Sequence, residues 1–184
     1  MQKKVIVLAS GEGSNFDAIV KSDIVVNKVI CNNPKANIIK RAKTASVPVA
    51  IVDPADQHGH GIGWIERRIL EEIPEDTDLI VLAGYMRILS KEFINNFQNN
   101  ILNIHPSLLP KFKGLNTHKR AIESRETKSG CTVHYVNEEL DGGKIIEQKE
   151  VAILRNDTPK SLGEKILKIE HKLYPEVIKK VLTI

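Results

Sequence analysis

Short apolar runs alternate along the first part of the chain with segments in which apolar residues recur at helical spacing. The runs at 5–8 and 79–83 are continuously apolar, which is typical of parallel strands covered on both faces. Strands are predicted at 5–8, 25–30, 47–52, 78–84 and 101–105, and helices over 16–24, 38–45, 64–73 and 91–97. This alternation predicts an α/β fold with a Rossmann-like, doubly wound and mostly parallel sheet.

The pattern changes toward the C-terminus, after a further predicted helix at 116–124. Residues 131–136 alternate between apolar and polar and are rich in β-branched side chains, which predicts a strand. A partner strand is predicted at 144–153, and the turn 137–143 joins the two. Such a hairpin predicts an antiparallel end to the sheet.

The last segment has the periodicity of an amphipathic helix. Thr158 and Pro159 are a favourable N-cap and first-turn pair. Its apolar stripe comprises Leu162, Ile166, Ile169 and Leu173. Pro175 lacks a backbone N–H, so the sequence predicts that the helix breaks or kinks there.

A glycine turn follows the first predicted strand, with the sequence Gly11-Glu12-Gly13-Ser14-Asn15. Glycines permit a tight turn and close backbone approach, and the N–H groups of a new helix favour an anion. Phe16 stands where a dinucleotide fingerprint has its third glycine, and no acidic residue ends the second strand. We therefore expect a monophosphate rather than NAD here, with a plain tight turn as the alternative.

Two polar side chains end the predicted strand at 101–105. Asn103 and His105 are two residues apart, so they point to the same face of a strand, and Pro106 stops the strand. Ligands of open α/β sheets bind where strands end. A surface position, or a satisfied polar pair under a loop, is the alternative for this segment taken alone.

Asp141, in the predicted 137–143 turn, is the third candidate for this site. A carboxylate favours the protonated form of a nearby imidazole. Protonated His105 and the Asn103 amide could together stabilise an oxyanion. Because Ser107 and Cys131 lack the sequence context of a covalent nucleophile, the residues favour acyl transfer to an incoming nucleophile such as an amine.

Composition narrows the class of protein further. The chain has 184 residues, 41% of them apolar and 27% charged, which fits one globular domain. Its two cysteines have no metal-type spacing and fit a reducing, cytoplasmic location. A net charge of +4 with few aromatic residues does not require nucleic acid. No apolar run approaches the length of a membrane helix, and His58 and His60 are too weak a signal for a metal site.

Four blocks of the sequence resemble the phosphoribosylglycinamide formyltransferases. Their order and spacing agree over essentially the whole chain, and together they are highly specific. The blocks are Gly11–Asn15, Ala83–Leu89, Leu102–Pro110 and Glu139–Gly143, with a weaker match at Glu170–Pro175.

The resemblance implies a formyltransferase fold and a single formyltransferase domain over 1–184. Its N-terminal part would bind a phosphate and its C-terminal part a folate. The implied reaction moves the formyl group of 10-formyltetrahydrofolate to the amine of 5'-phosphoribosylglycinamide in de novo purine (IMP) biosynthesis. The amine would attack directly, without a metal, and the chain would be a monomer or a homodimer whose partners are small molecules.

The resemblance also implies a role for individual residues. The catalytic residues would be Asn103, His105 and Asp141. The phosphorylated substrate would meet Gly13, Ser14, Asn15 and Glu170. The folate would meet Met86, Arg87, Ile88, Leu89, Asn137, Glu138, Glu139, Leu140 and Asp141.

One departure from the family concerns the folate site. The family commonly has an arginine before the third helix, where this chain has Ile62 and Gly63, and Arg67 or Arg68 could substitute for it. Two other functions remain open: a formyltetrahydrofolate hydrolase (deformylase), which would turn over without an acceptor, and a folate- or nucleotide-binding module, which would bind without turnover.

Overall fold

A computed structural model describes residues 3–57, 63–97 and 100–183. The chain divides into two compact units, Met1–Ile101 and Leu102–Ile184. The interpretations of His58, His60 and Ile62 concern positions outside the described residues.

The first unit is a parallel sheet flanked by helices. Its strands are β1 (Val5–Ala9), β2 (Val26–Cys31), β3 (Val49–Ile51) and β4 (Leu79–Leu82). Its helices are α1 (Ser14–Val20), α2 (Ile38–Thr44), α3 (Trp64–Glu72) and α4 (Lys91–Asn95), with a 3-10 turn at Pro54–Gln57. The strands lie in the order β3-β2-β1-β4, and every pair is parallel.

The centre of this unit is β1, whose five residues are all buried. Its neighbour β4 is buried along its whole length as well. Two fully buried strands side by side explain why both sequences are continuously apolar, as the parallel-sheet prediction requires.

The second unit holds the antiparallel strands. β5 (Ile101–His105) begins at the boundary and is followed by α5 (Thr117–Glu123), β6 (Lys128–Tyr135), β7 (Ile145–Ala152) and α6 (Pro159–Thr183). β6 pairs antiparallel with both β5 and β7. The predicted fold class, a mostly parallel α/β sheet with an antiparallel C-terminal end, is confirmed.

The 25-residue helix α6 is not broken at Pro175, one of the two outcomes expected there, and runs on to Thr183. Pro175 is buried, with Leu173, Tyr174, Val177 and Ile178 buried around it. The Tyr174 hydroxyl also donates to the Leu102 carbonyl at 3.0 Å. Burial of this apolar stripe outweighs the loss of one helical hydrogen bond.

No helix within the described ranges is long and apolar enough to cross a membrane.

Candidate active site

The end of β5 places Asn103 and His105 beside the middle of β6. In the antiparallel register Asn103 lies opposite His134, and His105 lies opposite Thr132. Because side chains alternate along a strand, all four belong to one face of this strand pair. The strand ends at His105, directly before Pro106, as predicted.

His105 is buried, with a hydrogen-bond acceptor near each ring nitrogen. Its Nε2 lies 2.9 Å from the Phe112 carbonyl oxygen, and its Nδ1 lies 3.4 Å from Oδ2 of Asp141. An imidazolium donates to both acceptors, whereas a neutral ring donates to only one of them. The structure thus brings together the predicted His105 and Asp141.

Asp141 is held by the backbone of a neighbouring loop. Its Oδ2 accepts a hydrogen bond from the Gly114 N–H at 2.8 Å, and its own φ is 48°. Aspartate and asparagine are among the few non-glycine residues that tolerate this left-handed conformation. The carboxylate is therefore fixed in position by its backbone as well as by a hydrogen bond.

His134 is a buried member of this cluster that the sequence analysis assigned only to a strand. Its Nε2 lies 3.2 Å from Nδ2 of Asn103 and 3.8 Å from Oδ1 of Asp141, and its Nδ1 lies 2.8 Å from the Tyr135 carbonyl oxygen. Burial lowers the pKa of His134, which favours the neutral ring. The sequence did hold a signal for this residue: Thr132 and His134 alternate with apolar neighbours, which places both side chains on the same face of the strand.

A second layer of hydrogen bonds fixes the loop after β5. Thr132 Oγ1 donates to the Ser107 carbonyl at 2.7 Å and accepts from the Leu109 N–H at 3.1 Å. Gln148 Nε2 donates to the Leu109 carbonyl at 2.9 Å. Ser107, fully buried, donates to the Lys111 carbonyl at 2.7 Å. These bonds give Ser107 a structural role.

Cys131 is buried too, and burial, with a smaller effect of the Glu170 charge, raises the pKa of its thiol to about 12. The thiol therefore stays protonated at neutral pH and is a poor nucleophile. Glu170, on α6, is itself buried with 6% of its surface exposed, so the structure leaves little of this predicted substrate contact open to solvent.

The predicted folate residues of the second unit lie on the turn between β6 and β7. Asn137, Glu138, Glu139 and Leu140 are exposed, and Glu139 forms an ion pair with Lys113. Asp141 follows in the same turn, so an exposed stretch leads directly into the buried carboxylate.

In the first unit, the predicted phosphate loop begins α1. Gly13 has a φ of 77°, and a Cβ there would lie 2.8 Å from the Ile38 side chain. The loop is further held by a hydrogen bond from the Ile38 N–H to the Gly11 carbonyl at 3.1 Å. Gly13 is thus required both for its backbone conformation and for close contact with α2. Ser14 and Asn15, the first residues of α1, are partly exposed.

The segment after β4 divides its apolar residues between the core and the surface. Leu89 is buried, whereas Met86 and Ile88 are 72% and 75% exposed. Arg87 is exposed as well, and the Met86 N–H donates to Ser10 Oγ at 2.9 Å. Ordinary core packing therefore explains Leu89 but not Met86 or Ile88.

Arg67 and Arg68, considered for the folate site, both lie on α3. Arg68 forms an ion pair with Glu71, while Arg67 is exposed.

Comparison with known proteins shows the family of this chain. The formyl transferase family model matches residues 3–178. Phosphoribosylglycinamide formyltransferase of Bacillus subtilis is 38% identical over 98% of this chain and 95% of its own length. The solved phosphoribosylglycinamide formyltransferase of Anaplasma phagocytophilum is 41% identical with a TM-score of 0.87, covering 97% of this chain and 86% of that one.

The chain belongs to the formyl transferase family. A further solved relative, glycinamide ribonucleotide transformylase 1 of Geobacillus kaustophilus, superimposes with a TM-score of 0.92 at 36% identity, covering 99% of this chain and all of that one. Agreement over nearly the full length confirms the formyltransferase fold and the enzyme class. It disfavours the hydrolase and the binding module.

A formyl transferase with this site has no evident place for a metal in the described ranges. No group of three or more His, Cys, Asp or Glu side chains there is arranged to hold a metal ion. The cluster contains hydrogen-bond donors, which can polarise a carbonyl, and one carboxylate, which can help to move a proton.

Proposed function

We propose that this formyl transferase moves the formyl group of 10-formyltetrahydrofolate to the amine of phosphoribosylglycinamide, a step of purine biosynthesis. The observation that carries the proposal is the buried His105–Asp141 pair with the Asn103 amide on the same face of β5. Nearly full-length similarity to proteins named for this reaction supports it.

The reaction needs an oxyanion site and a route for one proton. The amine attacks the formyl carbon, a new C–N bond forms, and the carbonyl oxygen gains negative charge. Collapse of this intermediate breaks the bond to the folate nitrogen, which takes up a proton equivalent to the one lost by the amine. We assign the hydrogen bond to the oxyanion to Asn103 Nδ2, and to protonated His105 the electrostatic stabilisation by its positive charge, since both of its ring nitrogens already face acceptors. Removal of one such donor typically costs about 2.7–4 kcal/mol.

Asp141 is proposed to stabilise the imidazolium and to help move the proton, directly or through water. Its Oδ2 is 3.4 Å from His105 Nδ1 and accepts from Gly114 N–H at 2.8 Å. This second bond keeps the carboxylate facing the ring, so little reorganisation is needed during the reaction.

The acceptor's phosphate is proposed to bind at Gly13, Ser14 and Asn15. Support comes from the left-handed Gly13, which keeps the loop backbone free of a Cβ, and from the partly exposed Ser14 and Asn15. Glu170 is proposed to contact the glycinamide or ribose end. The acidic side chain would accept hydrogen bonds from hydroxyl or amide groups.

The folate is proposed to contact two segments that are exposed apart from Leu89 and the Asp141 side chain. One holds Met86, Arg87, Ile88 and Leu89, and the other runs from Asn137 through Glu138, Glu139 and Leu140 to Asp141. Met86 and Ile88 in the first segment, and Leu140 in the second, are large apolar side chains that remain exposed, and contact with the folate would cover apolar surface in each segment.

The decisive experiment measures formyl transfer from 10-formyltetrahydrofolate to phosphoribosylglycinamide, with a control that contains only water as acceptor. Acceptor-dependent turnover is expected. Turnover without the acceptor would replace the proposal by a hydrolase, and binding of both ligands without turnover would replace it by a binding module. A cytoplasmic location and a monomeric or homodimeric state remain predictions.

A further inference from the structure

His134 lies in the cluster with Asn103, His105 and Asp141, but the proposed reaction assigns it no role. It lies opposite Asn103 in the β5–β6 register and contacts that side chain at 3.2 Å. Its other ring nitrogen contacts the Tyr135 carbonyl oxygen at 2.8 Å. The ring is thus fixed at both nitrogens, and only 2% of the residue's surface is exposed.

These two contacts determine which nitrogen carries the proton in the neutral ring. A backbone carbonyl can only accept, so Nδ1 must be the N–H that donates to Tyr135. Nε2 is then a bare acceptor, and the group that meets it must be a donor. The Asn103 carboxamide offers a donor only through its NH2 group, so the ring selects one of the two amide orientations.

We propose that His134 is a positioning residue that orients the Asn103 carboxamide for oxyanion stabilisation. One hydrogen of Asn103 Nδ2 binds His134 Nε2, which leaves the other for the formyl oxygen. The opposite orientation would set Oδ1 against the Nε2 lone pair and present an acceptor to the oxyanion. The inference rests on the proposed function and adds to it the reason why the amide acts as a donor.

The electrostatic surroundings favour the neutral ring that this role requires. Burial is the largest influence and lowers the pKa of His134, and the charges of His105 and Lys113 act in the same direction. Asp141 and the hydrogen bond to Tyr135 act in the opposite direction. A protonated ring would donate from Nε2 and could no longer accept from Asn103 Nδ2; Asp141 Oδ1 lies 3.8 Å from that ring nitrogen.

Two substitutions separate the two ring contacts. In His134→Asn the short amide reaches the Nδ1 position and keeps the bond to Tyr135, but nothing reaches Asn103. In His134→Gln the longer side chain brings a carbonyl oxygen to the Nε2 position, where it accepts from Asn103. We expect His134→Asn to lower kcat by about 10- to 100-fold with both KM values nearly unchanged, since the Asn103 donor stays but loses its fixed orientation, which costs less than removing it. His134→Gln should recover most of that loss.

A double-mutant cycle tests whether His134 acts through Asn103. In an Asn103→Ala background, His134→Asn should lower kcat by less than about twofold, because no amide remains to be oriented. Losses that multiply in the double variant would overturn the proposal. So would equal rates for the Asn and Gln variants, provided that both show the wild-type melting temperature.

A measurement on the wild-type protein keeps this inference separate from the reaction. Nitrogen-15 NMR of the histidine rings, with the His134→Gln variant for assignment, reports the tautomer directly. The expected result at neutral pH is a His134 ring with its proton on Nδ1 and none on Nε2. A proton on Nε2 would overturn the inference even if formyl transfer is observed. Absence of formyl transfer by a protein with the expected tautomer would instead refute the proposed function.

Discussion

The cluster at the end of β5 and the glycine loop before α1 are built in contrasting ways. In the cluster, His105 and His134 are buried and each ring nitrogen faces a partner. In the loop, the backbone is tightly fixed at Gly13, while Ser14 and Asn15 remain partly exposed.

The contrast separates two tasks. Groups that stabilise charge during a reaction gain from being held rigidly in a low-dielectric site, because reorganising them would cost free energy at the transition state. Groups that bind a phosphate need a fixed backbone but open side chains, because the ligand itself completes their hydrogen bonds. We therefore expect substitutions in the cluster to change turnover and substitutions in the loop to change binding.

The largest effect is expected for His105→Ala. Loss of the imidazolium should lower kcat by about 1,000-fold, with KM changed little, since the ring acts on the developing oxyanion. Steady-state kinetics with both substrates checks this. Normal turnover with a large loss of affinity would remove His105 from the catalytic role.

Asp141→Asn should come next, with kcat lowered by about 100-fold. Asparagine tolerates the φ of 48° and can still accept from the Gly114 N–H, so the fold should persist while the negative charge beside His105 is lost. The pH dependence of kcat should change as well. A pH profile identical to that of the wild type would exclude Asp141 from the proton path.

Gly13→Ala should destabilise the protein by about 1–3 kcal/mol, because alanine at a φ of 77° is strained and its Cβ would meet Ile38 at 2.8 Å. Gly11→Ala is the matched control, since a Cβ there would have no atom within 4 Å. Urea denaturation compares the two. Equal stability of both variants would show that the loop backbone is not fixed at Gly13.

Ser14→Ala and Asn15→Ala should each raise the KM for the phosphorylated acceptor by about 10-fold and leave kcat nearly unchanged, because one hydrogen bond to a charged group is lost. Ser22→Ala is the control, since the Ser22 hydroxyl lies just beyond α1 and donates to the Ala18 carbonyl at 2.9 Å. If only the KM for the folate rises, the acceptor and folate assignments must be exchanged.

The smallest effect is a pH dependence of stability. Burial lowers the pKa of both His118 and His134 from 6.5. As pH falls through 6.5, the unfolded chain binds protons that the folded chain excludes, so the free energy of unfolding decreases until pH is below the lowered values. Urea denaturation at about pH 7.5 and about pH 5.5 should show a smaller decrease for a His118→Gln/His134→Gln variant than for the wild type. An identical decrease would contradict the prediction.

Local patterns in the sequence were enough to predict the fold class. Continuous apolar runs indicated β1 and β4, and alternation indicated the β6–β7 hairpin. A strand buried on both faces needs apolar residues at every position, whereas one buried on a single face needs them at every second position. The break that was one of the two outcomes expected at Pro175 does not occur, since the free energy of packing α6 is contributed by residues far away in the sequence. Element ends also shifted; β6 begins at Lys128 rather than Cys131.

The sequence by itself determined which residue types could carry the chemistry. Asn103 and His105 share a face because of the two-residue period of a strand. Asp141 was the third candidate because a carboxylate favours a protonated imidazole. Only the tertiary structure decided that His134 joins them, because cross-strand register depends on pairing between segments about thirty residues apart, which no local period encodes. The same pairing places the unprotonated Nε2 of His134 beside the Asn103 amide, and this contact determines that the NH2 group of the amide faces the ring.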